Sequence, residues 1–375
     1  MKDLDRYRGC LIGGAVGDAL GYAVEFMREE DIFTKYGNKG ITEYDLTDGV
    51  ARISDDTQMT LFTATGLLLG TTRGRMRGIM GPYPGYIALA YQDWFRTQTE
   101  PYPLPDEFHY SWLVHVPELF HQRAPGNTCM EAIARGADGT IESPMNQSKG
   151  CGGIMRVAPI GLYFEGKRLS PEDIDRMAAK AAALTHGHEL GYIPAAALVH
   201  VIHQIVHDPD ITLRAAVEDS LETMKQIFPD AEHLYEFIGL ANKAVELSEL
   251  DVDDLDAIHA LGQGWVAEET FAIAVYCALK HSDDFASAVI AAVNHAGDSD
   301  STGALAGTLV GAHLGLASIP ERFLRHLELK DVILELADDL YYDCQMSEYG
   351  SYYDPVWESK YIRVQYRGKQ GGDLR

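Results

Sequence analysis

Two short acidic clusters stand near opposite ends of this 375-residue chain: Ser54-Asp55-Asp56-Thr57 and Asp298-Ser299-Asp300-Ser301-Thr302. Carboxylates and hydroxyls in this density suit oxygen ligation of hard divalent cations. Taken singly, each cluster has a plainer reading. Asp298 to Gly303 matches the opening of an EF-hand loop, but the twelfth position is Leu309, where a bidentate carboxylate is required. A phosphatase-type aspartyl nucleophile needs a preceding buried strand, and Phe285–Val293 reads as helix. Ser54 with Asp55 and Asp56 reads as an ordinary helix N-cap. Together with Glu25, the two clusters make chemical sense if the fold brings them to one place. Cations would then balance their charge.

Positioning such groups falls to helices. Glycines at 9, 13, 17 and 21 repeat every fourth residue, and so do those at 303, 307, 311 and 315. Glycine costs about 1 kcal/mol per helical position relative to alanine. Two ridges of four therefore imply that these helices approach closely, deep in the core. Helical spacing recurs over 57–69, 85–95, 128–135, 171–185, 191–207, 212–227, 231–247, 254–260, 266–280, 283–293 and 320–338, with Ser170 as an N-cap before Pro171. Period-2 runs are scarce, and Ile41–Asp45 and Tyr361–Tyr366 are the best of them. Loops are expected over 70–110 and 140–153. The fold class is therefore all-α, in one compact domain over 1–367 followed by a flexible tail over 368–375.

Composition sets limits. With 31 basic and 56 acidic residues the net charge is −25, which argues against a generic nucleic-acid or anionic-membrane surface. Apolar runs such as Leu61–Leu69 are too short to span a bilayer, and no secretory leader is evident. Five cysteines without a CxxC pair point to a reduced, cytoplasmic setting. A monomer is expected. The aromatics Tyr83, Tyr86, Trp94, Phe95 and Tyr102 either close a core or stack on a ligand, and Asn127 or Thr128 reads as a helix cap.

Five motifs in order carry a resemblance. They are Gly14-Ala-Val-Gly-Asp-Ala-Leu-Gly21 with Glu25, Ser54-Asp-Asp-Thr-Gln-Met59, Gly150-Cys-Gly-Gly-Ile-Met-Arg-Val-Ala-Pro159, Thr185-His186, and Gly297-Asp-Ser-Asp-Ser-Thr-Gly303. The set resembles the ADP-ribosylglycohydrolase family. The resemblance implies an all-α fold around two divalent cations, Mg²⁺ or Mn²⁺, and hydrolysis of the bond joining ADP-ribose to an acceptor on a protein or small molecule. It places Ser54, Asp55, Asp56, Asp298, Asp300 and Ser301 as metal ligands, with Glu25, Asp56 and Asp300 in catalysis. Gly150, Cys151, Gly152, Gly153, Met155, Arg156 and His186 fall on the substrate-binding positions. Cys151 departs from the asparagine common there. The acidic motifs look most like the arginine-specific branch, so ADP-ribosyl-arginine is the expected substrate. Serine- or nucleobase-linked ADP-ribose, or binding without turnover, are the alternatives.

Overall fold

The computed structural model describes residues 3–366 apart from 106, 167 and 168, so the expected tail over 368–375 lies outside the described residues. Its α-helices run in the order α1 Leu4–Gly21, α2 Glu29–Tyr36, α3 Asp55–Arg77, α4 Tyr83–Thr99, α5 Asn127–Ala134, α6 Ala158–Tyr163, α7 Pro171–Ala183, α8 Glu189–His207 and α9 Leu213–Ile227. They continue with α10 Leu234–Glu249, α11 Asp254–Leu261, α12 Ala267–Lys280, α13 Phe285–Val293, α14 Ser299–Leu314, α15 Glu321–Leu324, α16 Lys330–Tyr342 and α17 Pro355–Tyr361. Among the described residues no sheet forms, only isolated bridges such as Ala51 with Leu327. The all-α reading holds, and the helices pack as one domain.

The glycine ridges are the centre of that packing. α1 and α14 lie antiparallel: Gly9 meets Gly311 and Gly315, Gly13 meets Gly307, Gly17 meets Gly303, and Gly21 meets Ser299. A Cβ on Gly17 would fall 1.9 Å from the Gly303 carbonyl oxygen, so the two backbones touch where side chains would normally stand. This contact places the C-terminal end of α1 beside the N-terminal end of α14. Residues from both ends of the chain are thereby joined.

Other expectations needed correction. The helix expected over 85–95 is present as part of α4, but the loop expected before it is mostly a continuation of α3, whose Gly66, Gly70 and Gly74 form a third ridge; a Cβ on Gly66 would fall 2.8 Å from the Ile87 backbone of α4. Ile41–Asp45 is not a strand: the Asn294 side chain bonds both the N–H and the C=O of Ile41, at 2.7 and 3.0 Å, in place of a neighbouring strand. Tyr361–Tyr366 begins as the end of α17, and the helix expected over 320–338 is broken into α15 and α16, with Leu329 at φ 56° between them. α2, α6 and α17 were not foreseen. α8 is long and apolar enough to cross a membrane by length and composition, which the sequence reading overlooked, but 83% of its apolar window is buried inside the protein. Its apolarity serves the core.

Candidate active site

α3 begins at the acidic cluster. Ser54 caps it, its hydroxyl oxygen accepting from the Asp56 N–H at 3.2 Å. The start of this helix is fixed from α1: the buried Asp18 carboxylate accepts from the N–H groups of Ser54, at 2.8 Å, and Thr57, at 3.1 Å, and from the Thr57 hydroxyl. Asp18 thus sets the position of one acidic cluster without facing the cavity. The second cluster opens α14, where Asp298 is the N-cap and the Asp298 N–H bonds the Gln263 carbonyl at 2.8 Å.

Both clusters meet at one cavity of about 360 Å³, walled by Glu25, Asp55, Asp56, Asp298, Asp300 and Ser301 on its acidic side. Glu25, Asp298 and Asp300 each offer a carboxylate oxygen, and these oxygens lie within 4.8 Å of one another. Ser54 is fully buried behind them and does not itself line the cavity. Among the described residues no lysine or arginine lines the cavity. Burial, and then mutual repulsion led by Asp300, pushes Asp55 and Asp56 well above the usual carboxylate range. Burial and the same neighbour push Asp18 up to about 7; burial with Asp300 and Asp298 pushes Glu25 up to about 10. Three buried oxygens, Glu25 Oε2, Asp56 Oδ2 and Asp300 Oδ1, have no hydrogen-bond donor among the described residues. Buried polar atoms are normally satisfied. Uncompensated carboxylates with orphaned oxygens are the donor set that hard divalent cations require, so these residues fit such ions.

The opposite wall is built from the glycine loop and α5. Gly150, Cys151, Gly152, Met155 and His186 line it, as expected. Gly153 does not: it packs against the Gly191 carbonyl. Arg156 is also corrected, since it is fully buried behind the wall, donating to the Thr185 hydroxyl at 2.6 Å. Burial first, then Asp298 and Asp56, hold the Cys151 thiol well above its usual pKa. Asn127 and Thr128 line the cavity instead of capping α5, whose N-cap is Gly126. Sequence reasoning missed Phe26 and Trp265, exposed at 74% and 41%, whose rings stack at 6.1 Å and 22° over this cavity. Position beside Glu25, and the Gly262 and Gly264 turn before Trp265, were the available signals. Tyr83 and Trp94 belong to the core, and none of the five aromatics singled out earlier lines the cavity.

The model of the family described as ADP-ribosylglycohydrolase matches residues 1–349. The chain belongs to this family. It is 28% identical over 334 residues to the ADP-ribosyl-[dinitrogen reductase] glycohydrolase of Rhodospirillum rubrum, covering 87% of this chain and 91% of that one. It is 25% identical over 357 residues to ADP-ribosylhydrolase ARH3 of Mus musculus, covering 87% and 88% of the two chains. With the ADP-ribosylarginine hydrolase Tri1 of Pseudomonas putida (strain GB-1) it shares 24% identity over 340 residues, covering 90% of this chain and 78% of the other. The solved structure titled ADP-ribosylglycohydrolase-related protein complex superposes with a TM-score of 0.57 at 25% identity, covering 90% of this chain and 98% of that one. This ADP-ribosylglycohydrolase is accordingly an enzyme that cleaves ADP-ribosyl–acceptor bonds, of a metal-dependent family.

Proposed function

We propose that this ADP-ribosylglycohydrolase hydrolyses the N-glycosidic bond between ADP-ribose and the guanidine of arginine, reversing the modification of a protein. The observation that carries the reading is the convergence of Glu25, Asp55, Asp56, Asp298 and Asp300 on one cavity that, among the described residues, no lysine or arginine lines. Ser54, Asp55, Asp56, Asp298, Asp300 and Ser301 would hold two divalent cations, Mg²⁺ or Mn²⁺. Such ions, when bound, make a coordinated water more acidic and grip vicinal hydroxyls.

The protein's own groups do the rest. Gly152 lets the loop pack closely on the cavity wall, since a Cβ there would fall 2.7 Å from the Cys129 sulfur and 2.9 Å from the His186 ring, and this glycine loop is where the diphosphate would lie. Glu25, whose Oε2 has no protein partner, stands free to take a proton from water and return it to the leaving nitrogen. The C1″–N bond breaks with its electron pair going to the guanidine, and the water oxygen bonds C1″. The acceptor assignment is supported by Phe26 and Trp265 at the cavity, since a planar guanidinium stacks on aromatic faces and a seryl oxygen cannot.

The test is a panel of arginine-, serine- and nucleobase-linked ADP-ribose incubated with Mg²⁺ or Mn²⁺, with products separated by chromatography. Release of intact ADP-ribose from arginine, abolished by chelator and by Asp300→Ala, is expected. Preferred cleavage of the serine linkage, or release of AMP, would overturn the assignment.

A further inference from the structure

Arg156 and Thr185 stand outside the cavity wall yet end on a residue that forms it. The Arg156 guanidinium is fully buried, and among the described residues it makes no ion pair with a carboxylate. Its neighbours are the Thr185 hydroxyl at 2.6 Å, the Cys129 sulfur at 3.3 Å and the face of Tyr91, 4.5 Å from the ring centre. A buried cation without an anion is costly, so its contacts with Thr185 and beyond call for a reason.

Donor and acceptor rules supply one. Thr185 Oγ1 lies 2.6 Å from Arg156 Nη2 and 2.8 Å from His186 Nδ1. A guanidinium only donates, so the Thr185 oxygen accepts from it and the hydroxyl hydrogen must point elsewhere. His186 Nδ1 is the acceptor in line; the Cys129 sulfur, also beside Thr185, is a weaker one. Burial, reinforced by the Arg156 charge, pushes the His186 pKa down to about 3, so the ring is neutral. A neutral imidazole that accepts at Nδ1 carries its hydrogen on Nε2. That atom faces the glycine loop, where a Cβ on Gly150 would fall 3.4 Å from it and one on Gly152 3.3 Å.

We infer that Arg156, acting through Thr185, is a positioning residue that holds His186 in its Nε2–H tautomer. The cavity therefore presents a fixed N–H donor beside Gly150 and Gly152, aimed at an anionic or sugar oxygen of the substrate. The kinetic part of this inference rests on the proposed ADP-ribosyl-arginine reading; the tautomer itself does not.

Two measurements on the full chain keep those apart. Nitrogen NMR of protein labelled at histidine, with His186 assigned by the signal lost in His186→Asn, is expected to show the Nε2–H pattern, unchanged between about pH 5 and pH 8. Thr185→Val, nearly isosteric, is expected to release it to a tautomer mixture, and Thr185→Ser to keep it. With arginine-linked ADP-ribose, Thr185→Val is expected to raise KM about tenfold with kcat within about twofold, and Thr185→Ser to restore KM. An Nδ1–H pattern in the unsubstituted protein, or a Thr185→Val spectrum identical to it, overturns the inference. Absence of any hydrolysis with a correct tautomer overturns the substrate reading alone.

Discussion

Alanine at Gly17 and alanine at Gly239 are the same substitution in two helices, and the structure gives them opposite signs. Gly239 lies within α10, exposed, and a Cβ there meets nothing within 4 Å. Its replacement removes a poor helix former and is expected to stabilise the protein by about 1 kcal/mol. Gly17 gains the same propensity but places its Cβ 1.9 Å from the Gly303 oxygen and 2.3 Å from the Gly303 carbonyl carbon. Backbone cannot rotate aside as a side chain can. The helices must part by about 1.5 Å to reach ordinary contact. Overpacking of this kind costs about 3 kcal/mol or more, and the propensity gain offsets only a third of it, so a net loss of about 2 kcal/mol is expected. Activity is expected to suffer further, because Asp18 follows Gly17 and sets the start of α3; a displacement of about 1 Å at reacting groups costs about a hundredfold in rate. Urea unfolding followed by circular dichroism measures both free energies. If Gly17→Ala proves neutral or stabilising, close contact of α1 and α14 is not what the glycines are for.

Asp18→Asn leaves one acceptor oxygen where the carboxylate serves the donors of Ser54 and Thr57, so a loss of about 1–3 kcal/mol and at least about tenfold in activity is expected from unfolding and rate assays. The cation-free protein is expected to lose stability as pH rises. Glu25 at about 10 and Asp18 at about 7 titrate above their unfolded values near 4, so their contribution is complete below about pH 4 and is lost as pH climbs through the folded values. Calorimetry of chelated protein from about pH 5 to 9 should show a falling melting temperature that Mg²⁺ or Mn²⁺ restores, more at high pH than at low; a flat profile contradicts the charge argument. Lys360→Met removes the ammonium that bonds Glu335 at 3.0 Å and Asp339 at 2.5 Å, all buried, and is expected to cost about 3–5 kcal/mol in unfolding experiments, because the carboxylates remain unpaired.

Much of the site could be read from residue types. The two acidic clusters and Glu25 face one cavity, the glycine loop forms its other wall, and His186 lines it. Arg156 and Gly153 were misplaced because a motif specifies neighbours along the chain, while the turn at 151–153 decides which of them face outward. Phe26 and Trp265 were missed because single aromatics carry no period, and only the fold brings residues 26 and 265 together.

The same division holds for the architecture. Local sequence determined helicity, the N-caps at Ser54 and Ser170, and the presence of backbone-to-backbone contact, since glycines every fourth residue have no other helical use. Their antiparallel pairing, and the run of α3 past residue 69 with Gly70 and Gly74 where loop was expected, depended on which surface stood opposite. Tertiary structure alone decided that Ile41 is satisfied by the Asn294 side chain, that the apolar α8 is a core helix, and that carboxylates about 240 residues apart share one pocket. The physical reason is range: propensity and capping act over a few residues, whereas burial and charge repulsion act between whatever surfaces the packed chain brings together.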